Sequence, residues 1–441
     1  MDYAASASCV RGQGMIETRP QNNHERAVLV GLEQAGVSKW DLKDSLDELR
    51  ELANSAGAEV VDTVTQKLQR PTAPYYIGKG KAELIKDSLL GRQVTSVIFD
   101  DELSPAQGRN LETLLARKVL DRTQLILDIF AQRARSREGR LQIELAQLQY
   151  LLPRLTRMWQ HLSRQTGGIG MRGPGETQLE VDRRRVQERI ARLERELEAV
   201  RKTRAVQREG RKRNQWPVAS VVGYTNAGKS TLLNLLTGAD VIAENRLFAT
   251  LDPTTRSFVL PNKQRMLLTD TVGFLRKLPH TLIESFKATL EEVHEADLLI
   301  HVVDLSHPRV DEQMQAVDGV IKELDAFGKQ TLIVFNKIDK IDNRELVEAY
   351  LSRFSGSVAI SARTGEGVGE LVGAFQDALS SWRLHSHLRI PTNESALLAE
   401  IHRAGHVLEL TYEGDDALIV AHVPPHLESR LKQFAISPAT R

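Results

Sequence analysis

The sequence predicts an α/β protein of several domains, in which two regions of alternating strands and helices flank a long helical hairpin. The first alternation covers residues 25–130 and the second covers residues 214–382, a pattern typical of parallel sheets covered by helices. Two long helical patterns fill residues 131–213 between them. A chain of 441 residues is also too long for one hydrophobic core. We therefore expect an N-terminal parallel α/β domain, the hairpin, a second α/β domain, and a small α+β domain over residues 383–441.

Composition sets further limits. Residues 1–24 are polar without periodicity, which predicts a disordered tail. Cys9 is the only cysteine, so neither an intramolecular disulfide nor a zinc site built on thiolates can form. No apolar run approaches the roughly 18–20 residues that span a bilayer, and no signal-peptide pattern is visible. These features predict a cytoplasmic protein without a membrane span, with partial association at a membrane surface left open.

The N-terminal region alternates apolar strand patterns with amphipathic helix patterns. The predicted strands are RAVLVGL, AEVVDTVTQKLQ, TSVIFD and a short one near Val119, and the predicted helices are DSLDELRELANSA and two that begin near Gly80 and Ser104. This alternation predicts a small parallel sheet. The loop GKGK, residues 78–81, could bind the phosphate of ATP or of RNA, or simply begin a helix. It lacks the full spacing of a phosphate-binding loop, which favours the helix start; use of ATP by this domain is left open.

The central region predicts an antiparallel helical hairpin. Its first helical pattern runs from about Ser136 to Leu162, and the glycine-rich stretch SRQTGGIGMRGPGETQ that follows would form the tip. The second pattern has apolar residues at alternating steps of four and three, namely Leu179, Val186, Ile190, Leu193, Leu197 and Val200. A homodimeric coiled coil fits the same repeat. The break at the glycines and the matching first helix favour an intrachain hairpin, and hence a monomer.

The hairpin is also strongly basic. Residues 131–213 hold 21 Arg or Lys against 10 Asp or Glu, although the net charge of the whole chain is only +1. The runs Arg183–Arg185 and Arg211–Arg213 favour a phosphate-rich partner over the alternative of a solvated helix face. No DNA-binding motif is recognisable, so RNA is the favoured partner.

The stretch GYTNAGKS, residues 223–230, fits the phosphate-loop pattern G-x-x-x-x-G-K-[ST]. It follows the strand VASVV and precedes the helix STLLNLL, which is the context that the motif requires. The glycines let backbone N–H groups surround phosphate oxygens. Lys229 would supply charge to the β- and γ-phosphates, and Ser230 would ligate Mg²⁺.

Three later stretches, each at the end of a strand, select guanine and the γ-phosphate. In NKID, Asp339 can accept from both N1–H and the exocyclic amine of guanine, a donor pair that adenine lacks. SAR, residues 361–363, resembles the loop that closes over the guanine oxygen. In DTVG, Asp270 would hold the Mg²⁺ shell and the N–H of Gly273 would contact the γ-phosphate. Together with the phosphate loop, these motifs predict binding and hydrolysis of GTP at the carboxyl ends of the strands.

A threonine must complete the Mg²⁺ shell when the γ-phosphate is present. The stretch FATLDPTTR offers Thr250, Thr254 and Thr255, which are equivalent on chemistry alone. We expect this region to order and loosen as the nucleotide changes. The C-terminal region carries no chemical motif, and its clearest feature is a predicted β-hairpin that turns at Gly414–Asp415.

The motifs as a set resemble those of the HflX family of GTPases, as do YYIGKGK from Tyr75 and GGIGMRGPGETQLEVDRRR from Gly167. The resemblance covers nearly the whole chain beyond residue 24. It implies a cytoplasmic GTPase that binds GTP or GDP, uses Mg²⁺, engages the large ribosomal subunit and its rRNA through the basic hairpin, and separates or rescues stalled ribosomes. It also implies that Thr250 is the switch threonine and ligates Mg²⁺ with Ser230, and that Lys229, Thr250 and Gly273 serve catalysis.

The nucleotide-binding residues that follow from these motifs form four groups. They are Gly223, Tyr224, Thr225, Asn226, Ala227, Gly228, Lys229 and Ser230; Phe248, Ala249, Thr250, Leu251 and Asp252; Asp270, Thr271, Val272 and Gly273; and Asn336, Lys337, Ile338, Asp339, Ser361, Ala362 and Arg363.

Two residues refine the expected mechanism. Phe274 stands where many GTPases have the glutamine that orients the attacking water, which predicts slow intrinsic hydrolysis, completed by a partner or an ion; the alternative is that it packs beneath the switch. Asn226 fits either a ligand of K⁺ between the phosphates or a residue that tolerates a left-handed turn. A second functional hypothesis is an assembly factor for ribosomes or RNA in which GTP is a switch and turnover is incidental.

Overall fold

The computed structural model describes residues 25–35, 39–155, 178–213, 216–238, 247–248, 250–277, 292–324, 326, 328–379, 384–423 and 427–436. The predicted N-terminal tail and the glycine-rich tip of the hairpin lie outside these residues.

The N-terminal domain is a four-stranded parallel sheet in the order β2-β1-β3-β4. One of its two inner strands, β1, is buried over six consecutive residues, as expected for a parallel strand covered on both faces. In chain order the elements are β1 (Glu25–Glu33), α1 (Lys39–Ser55), β2 (Ala58–Lys67), α2 (Lys79–Leu89), β3 (Ser96–Phe99), α3 (Pro105–Leu115), β4 (Lys118–Asp121) and α4 (Arg122–Arg133). The predicted parallel α/β domain is confirmed.

The GKGK loop is a helix start. Gly78 directly precedes α2, and its N–H donates to Oε1 of Gln66 at 2.9 Å. A side chain of the same domain therefore takes a donor that a phosphate ligand would need.

The hairpin consists of α5 (Arg137–Leu151) and α6 (Gln178–Arg213). Its helices run antiparallel, because Arg189 pairs with Glu144 at 2.7 Å while Arg137 approaches Glu196 near the opposite end. Leu193 and Leu197 of the predicted heptad pack against leucines of α5 in one buried cluster, completed by Leu141 and Leu145. The intrachain hairpin is thus confirmed for the described residues.

The predicted length of the first hairpin helix was wrong. The helix ends at Leu151 and not near Leu162. Pro153 explains the difference, because proline lacks a backbone N–H and disfavours helical geometry in the residue before it. The chain then turns, and Arg154 lies over the ring of Tyr150 and donates to the carbonyl of Leu103 at 2.8 Å.

The second α/β domain contains a six-stranded sheet in the order β10-β9-β8-β5-β7-β6, with β6 as the one antiparallel member. Its elements are β5 (Val218–Gly223), α7 (Lys229–Thr237), β6 (Thr254–Val259), β7 (Arg265–Asp270), β8 (Leu298–Asp304), α8 (Val310–Glu323), β9 (Thr331–Asn336), α9 (Arg344–Arg353), β10 (Val358–Ala359) and α10 (Val368–Ala378). Parallel pairing places the carboxyl ends of β5, β7, β8, β9 and β10 at one edge, where the predicted motifs lie.

The C-terminal domain is a three-stranded antiparallel sheet in the order β11-β13-β12. It comprises β11 (Leu384–Pro391), α11 (Ser395–Ala404), β12 (His406–Glu413), β13 (Asp416–Val423) and the short α12 (Glu428–Leu431). The predicted hairpin turn at Gly414–Asp415 is confirmed, since Glu413 and Asp416 pair across it.

One hydrophobic cluster joins the N-terminal and second α/β domains. It contains Ile129 and Phe130 of α4 together with Phe248, Leu251 and Phe274 of the second domain. Phe130 and Phe248 meet edge to face, with ring centroids 4.5 Å apart. The predicted switch segments are therefore packed against the N-terminal domain.

Candidate functional site

The phosphate loop joins β5 to α7 and depends on two glycines. A Cβ on Gly223, which has φ of 151°, would lie 2.2 Å from the carbonyl oxygen of Val302. A Cβ on Gly228, with φ of 98°, would lie 2.2 Å from Nδ2 of Asn336. Only glycine allows these close approaches and the left-handed backbone that begins α7. Asn226 is exposed and has φ of 61°, which is the left-handed conformation of the second interpretation of this residue.

Lys229 is buried beneath the loop. Its Nζ donates to the carbonyl oxygens of Gly223 at 3.1 Å and Tyr224 at 2.8 Å. Burial lowers the pKa of Lys229 to about 8, although nearby Asp270 favours the charged form. A phosphate bound in the loop would place further negative charge beside Lys229 and so favour its charged ammonium form.

Three oxygen-bearing side chains meet beside the lysine. Ser230 Oγ donates to Asp270 Oδ2 at 2.7 Å and lies 2.9 Å from Thr250 Oγ1. The Asp270 carboxyl is fully buried, burial raises its pKa, and its Oδ1 has no hydrogen-bond partner. An unpartnered buried carboxylate oxygen beside two hydroxyl groups fits the hard oxygen ligands that Mg²⁺ prefers.

The structure separates the three candidate threonines. Thr250 lies against Ser230, whereas Thr254 and Thr255 belong to β6. Thr255 Oγ1 faces Thr269 Oγ1 across the strand pair at 3.0 Å. Among the described residues, no group of three or more His, Cys, Asp or Glu side chains could hold a metal ion.

The DTVG segment lies directly on the phosphate loop. The Thr271 hydroxyl donates to the carbonyl of Val221 at 2.7 Å, and a Cβ on Gly273 would lie 2.7 Å from the side chain of Thr225. The backbone of Phe274 donates to Gly223 O at 3.1 Å and accepts from Thr225 N at 2.8 Å. The Phe274 side chain is buried in the interdomain cluster, which is the packing interpretation of this residue. Val272 is buried alongside it.

The predicted guanine-binding residues come from two adjacent strand ends. Asn336 donates to Ala227 O at 2.8 Å and accepts from Ala362 N at 2.9 Å, so it ties the phosphate loop to the SAR loop. Asp339 accepts from the Ser361 hydroxyl at 2.8 Å, and Arg363 lies 3.6 Å from its other oxygen. These two contacts hold the Asp339 carboxylate against the SAR loop.

Two more residues complete that loop cluster. Lys337 has φ of 67° and pairs with Asp304 at 2.7 Å. The N–H of Ile338 donates to the carbonyl of Ile360 at 3.3 Å. Both contacts hold the NKID turn against neighbouring strand ends.

The FATLD segment contacts the N-terminal half of the chain, which the sequence did not predict. Phe248 and Leu251 are buried in the interdomain cluster, and Ala249 lies outside the described residues. The Asp252 carboxylate accepts from the backbone N–H groups of Arg135 and Ser136, each at 2.8 Å. Sequence alone gave no signal for this contact, because the partners are more than a hundred residues apart.

The phosphate loop also reaches the N-terminal domain. The Tyr224 hydroxyl donates to Glu48 Oε2 at 2.5 Å and accepts from Arg276 N at 2.9 Å. Glu48 in turn pairs with the buried Arg122. Neither Glu48 nor Arg122 was a predicted site residue, since nothing in their local sequence distinguishes them from other charged helix residues.

No helix in the part of the chain that the structure describes is long and apolar enough to cross a membrane.

Comparison with known proteins assigns the chain to a family. Family models match residues 43–131, "GTP-binding GTPase N-terminal"; 133–211, "GTP-binding GTPase Middle Region"; and 218–337, "50S ribosome-binding GTPase". The GTPase HflX of Lacrimispora saccharolytica is 48% identical over 93% of this chain and 96% of its own length. The GTPase HflX of Escherichia coli K12 is 47% identical over 86% and 88% of the two chains. The crystal structure of SsGBP with GDP aligns at 28% identity over 81% of this chain and 99% of that chain, with a TM-score of 0.47.

Proposed function

We propose a ribosomal role for this chain on the premise that it belongs to the HflX family of GTPases and hydrolyses GTP. In this proposal it binds the large ribosomal subunit and uses GTP hydrolysis to separate or rescue stalled or idle ribosomes. The observation that carries the proposal is the match of residues 218–337 to a family described as a 50S ribosome-binding GTPase. The basic hairpin supplies the surface that such a partner needs.

The hairpin supports binding to RNA through its shape and its charge. Helix α6 has 36 residues, which corresponds to about 54 Å at 1.5 Å per residue. Its arginines at positions 183, 184 and 185 are exposed, while the apolar seam faces α5. A long rod with exposed guanidinium groups can neutralise phosphates along a cleft in rRNA. The predicted tip would then contact RNA farthest from the GTPase domain.

We propose Mg²⁺ as the metal cofactor, held by Ser230 and Thr250 with Asp270 supporting its shell. When bound, the ion would neutralise charge on the β- and γ-phosphates. The chain's own groups do the remaining work: Lys229 charges the phosphate site, Gly273 offers its N–H, and Asn336 fixes the loop against the guanine pocket. We propose separately that the Asn226 side chain binds K⁺. The left-handed backbone of Asn226 does not by itself support this role, because that conformation alone accounts for an asparagine at this position.

We further propose that the protein is a cytoplasmic monomer. The intrachain packing of Leu193 and Leu197 against α5 supports this state, because it uses the heptad that a coiled-coil dimer would need.

The decisive experiment compares the GTPase rate with and without purified large subunits while subunit separation is followed. We expect stimulation by the large subunit, and we expect deletion of residues 166–175 to abolish it while basal GTP binding and hydrolysis remain. Substitution of Arg183, Arg184 and Arg185 by alanine should weaken ribosome binding and reduce its salt dependence. Alanine at the exposed Arg344 and Arg353 of α9 is the matched control.

The alternative is a GTP-switched assembly factor for ribosomes or RNA. It predicts nucleotide-dependent binding to the large subunit without stimulated turnover. Full stimulation of the tip-deleted protein would instead show that the hairpin only separates the domains.

A further inference from the structure

A carboxylate of the FATLD segment caps a helix of another domain. Asp252 Oδ2 accepts from the N–H groups of Arg135 and Ser136, both at 2.8 Å. The Ser136 hydroxyl donates to Asp252 Oδ1 and accepts from Gly139 N at 2.9 Å. Because Ser136 is the N-cap of α5, Asp252 extends the cap of the hairpin's first helix. Three donors at the base of the hairpin therefore converge on one side chain of the GTPase domain.

The contact also accounts for a glycine, Gly139, in the first turn of α5. A glycine in the first turn of a helix lowers helix stability relative to alanine by about 1 kcal/mol. Here a Cβ at position 139 would lie 2.6 Å from Asp252 Oδ1. The missing side chain makes room for the carboxylate, so an otherwise unfavourable residue is explained by an interdomain contact.

The same contact fixes the position of the switch threonine. Asp252 lies two residues after Thr250, whose hydroxyl is 2.9 Å from Ser230 Oγ. On the other side, Phe248 packs on Phe130, at the end of the helix that leads into α5. The residues two positions before and two positions after Thr250 thus both contact the N-terminal half of the chain.

We propose that Asp252 is a positioning residue for GTP binding: by capping α5, it holds Thr250 where its hydroxyl can join the Mg²⁺ shell of bound GTP. The contact with the base of the hairpin orders the backbone around Thr250 before the nucleotide binds, so binding of GTP loses less conformational entropy. The contact is reciprocal, so a ligand that orders Thr250 also tightens the first turn of α5. This proposal goes beyond the ribosomal role and requires only that the protein binds GTP.

The proposal predicts a selective loss of affinity for the triphosphate. Thr250 is expected to contact Mg²⁺ only when a γ-phosphate is present, so Asp252→Ala should weaken binding of a non-hydrolysable GTP analogue with Mg²⁺. The expected loss is roughly three- to thirtyfold, the range for removing a helix cap. The affinity for GDP should fall less than the affinity for the analogue, because Thr250 is not expected to contact the ion when the γ-phosphate is absent. Asp252→Asn, which keeps one acceptor oxygen, should lose less than Asp252→Ala.

Gly139→Ala tests the contact from the helix side without changing the sequence of the GTPase domain. The added Cβ should displace the Asp252 carboxylate while raising the helix propensity of α5. We expect weaker binding of the GTP analogue, with the gain in helix propensity offsetting part of the stability lost with the cap. Gly108→Ala is the matched control, because that glycine lies in α3 and a Cβ there would meet nothing within 4 Å.

Amide hydrogen exchange gives a readout that is independent of affinity. The GTP analogue with Mg²⁺ should slow exchange at residues 135–139 in the wild-type protein and leave it unchanged in Asp252→Ala. Wild-type analogue affinity in both Asp252→Ala and Gly139→Ala would overturn the proposal. Equal losses for GDP and the analogue would overturn it too, since they would indicate general damage to the nucleotide site.

Discussion

At the scale of single residues, the buried lysine of the phosphate loop predicts a pH dependence of nucleotide binding. Burial lowers the pKa of Lys229 to about 8 in the nucleotide-free protein, and phosphate should raise it again by favouring the charged form. Binding above pH 8 then requires uptake of a proton. We expect GDP affinity to be constant below pH 8 and to fall, by at most about tenfold per pH unit, above it. Fluorescence titrations from pH 7 to 9 would measure this, and Lys229→Arg, which stays charged, should not show the fall.

The guanine-reading residue makes a second prediction at this scale. Asp339 is held by the Ser361 hydroxyl at 2.8 Å, so its free lone pairs are oriented before a base arrives. Asp339→Asn places a donor where guanine also donates, and we expect preference to shift from GTP toward xanthosine triphosphate. Competition binding with the two nucleotides measures the ratio. A variant that keeps full selectivity for GTP would remove Asp339 from this role.

Asn226 can be tested in a way that separates its two possible roles. Its φ of 61° means that the backbone alone favours asparagine or glycine. Asn226→Gly keeps that conformation and removes the side chain. If the amide ligates K⁺, hydrolysis should be faster in K⁺ than in Na⁺ for the wild type and equal in the variant. A rate that does not depend on the cation in the wild-type protein would reject the potassium role.

At the scale of elements, the hairpin seam should determine the stability of α6. Leu193 is fully buried between α5 and α6, and truncation of such a leucine costs about 2–5 kcal/mol. We expect Leu193→Ala to increase amide exchange along α6 while GDP affinity stays at the wild-type value. The exposed Gln187→Ala on the same helix is the control. Loss of GDP binding in Leu193→Ala would mean that the hairpin and the nucleotide site do not unfold separately.

Elements could be predicted from the sequence where their pattern is local. The strand–loop–helix order around GYTNAGKS and the heptad of α6 depend on neighbouring residues, and both have the predicted structure. The end of α5 was missed although Pro153 signals it, because the helical pattern of apolar residues continues past the proline. The capping of α5 by Asp252 could not be found, since it joins residues 116 apart along the chain. No local periodicity reports a contact of that kind.

At the scale of the whole molecule, a buried charge network holds the GTPase domain to the N-terminal domain. Arg122, with 2% of its side chain exposed, pairs with Asp100 at 2.9 Å and with Glu48. It also donates to the backbone carbonyl of Arg276 at 3.2 Å, just after the DTVG motif. Lys277 adds ion pairs to Asp100 at 2.6 Å and to Asp101 at 2.7 Å. Asp100 follows β3 at the carboxyl edge of the sheet, where ligands of open α/β sheets bind. In this protein, Lys277 of the segment after DTVG lies against Asp100 at that edge of the sheet.

Arg122→Met should therefore destabilise the folded protein by about 3–5 kcal/mol, because it leaves Glu48 and Asp100 buried without their guanidinium partner. Arg154→Met is the matched control; that arginine pairs with Asp121 at 3.3 Å and donates to the carbonyl of Leu103 at 2.8 Å, and both partners lie in the N-terminal domain. Urea unfolding gives the loss of stability, and limited proteolysis between the domains should accelerate only in the Arg122 variant. Equal acceleration of proteolysis by the two substitutions would contradict an interdomain role for Arg122.

The pH dependence of that loss has a definite sign. In the wild type, burial raises the pKa of Glu48, whereas Arg122 and Lys277 hold the pKa of Asp100 below its usual range against the effect of burial. The stability contributed by Asp100 is thus present above its usual pKa and is lost as the pH falls through the lowered one. Without the guanidinium, the folded-state pKa of both carboxyls rises, so lowering the pH from 7.5 to 5 relieves more charge repulsion and desolvation in the variant than in the wild type, whose Asp100 stays ionised over that range. We expect the difference in unfolding free energy between wild type and Arg122→Met to be smaller at pH 5 than at pH 7.5. A difference of the same size at both values would show that the substitution acts through lost packing of the long side chain, with no contribution from the two buried carboxylates.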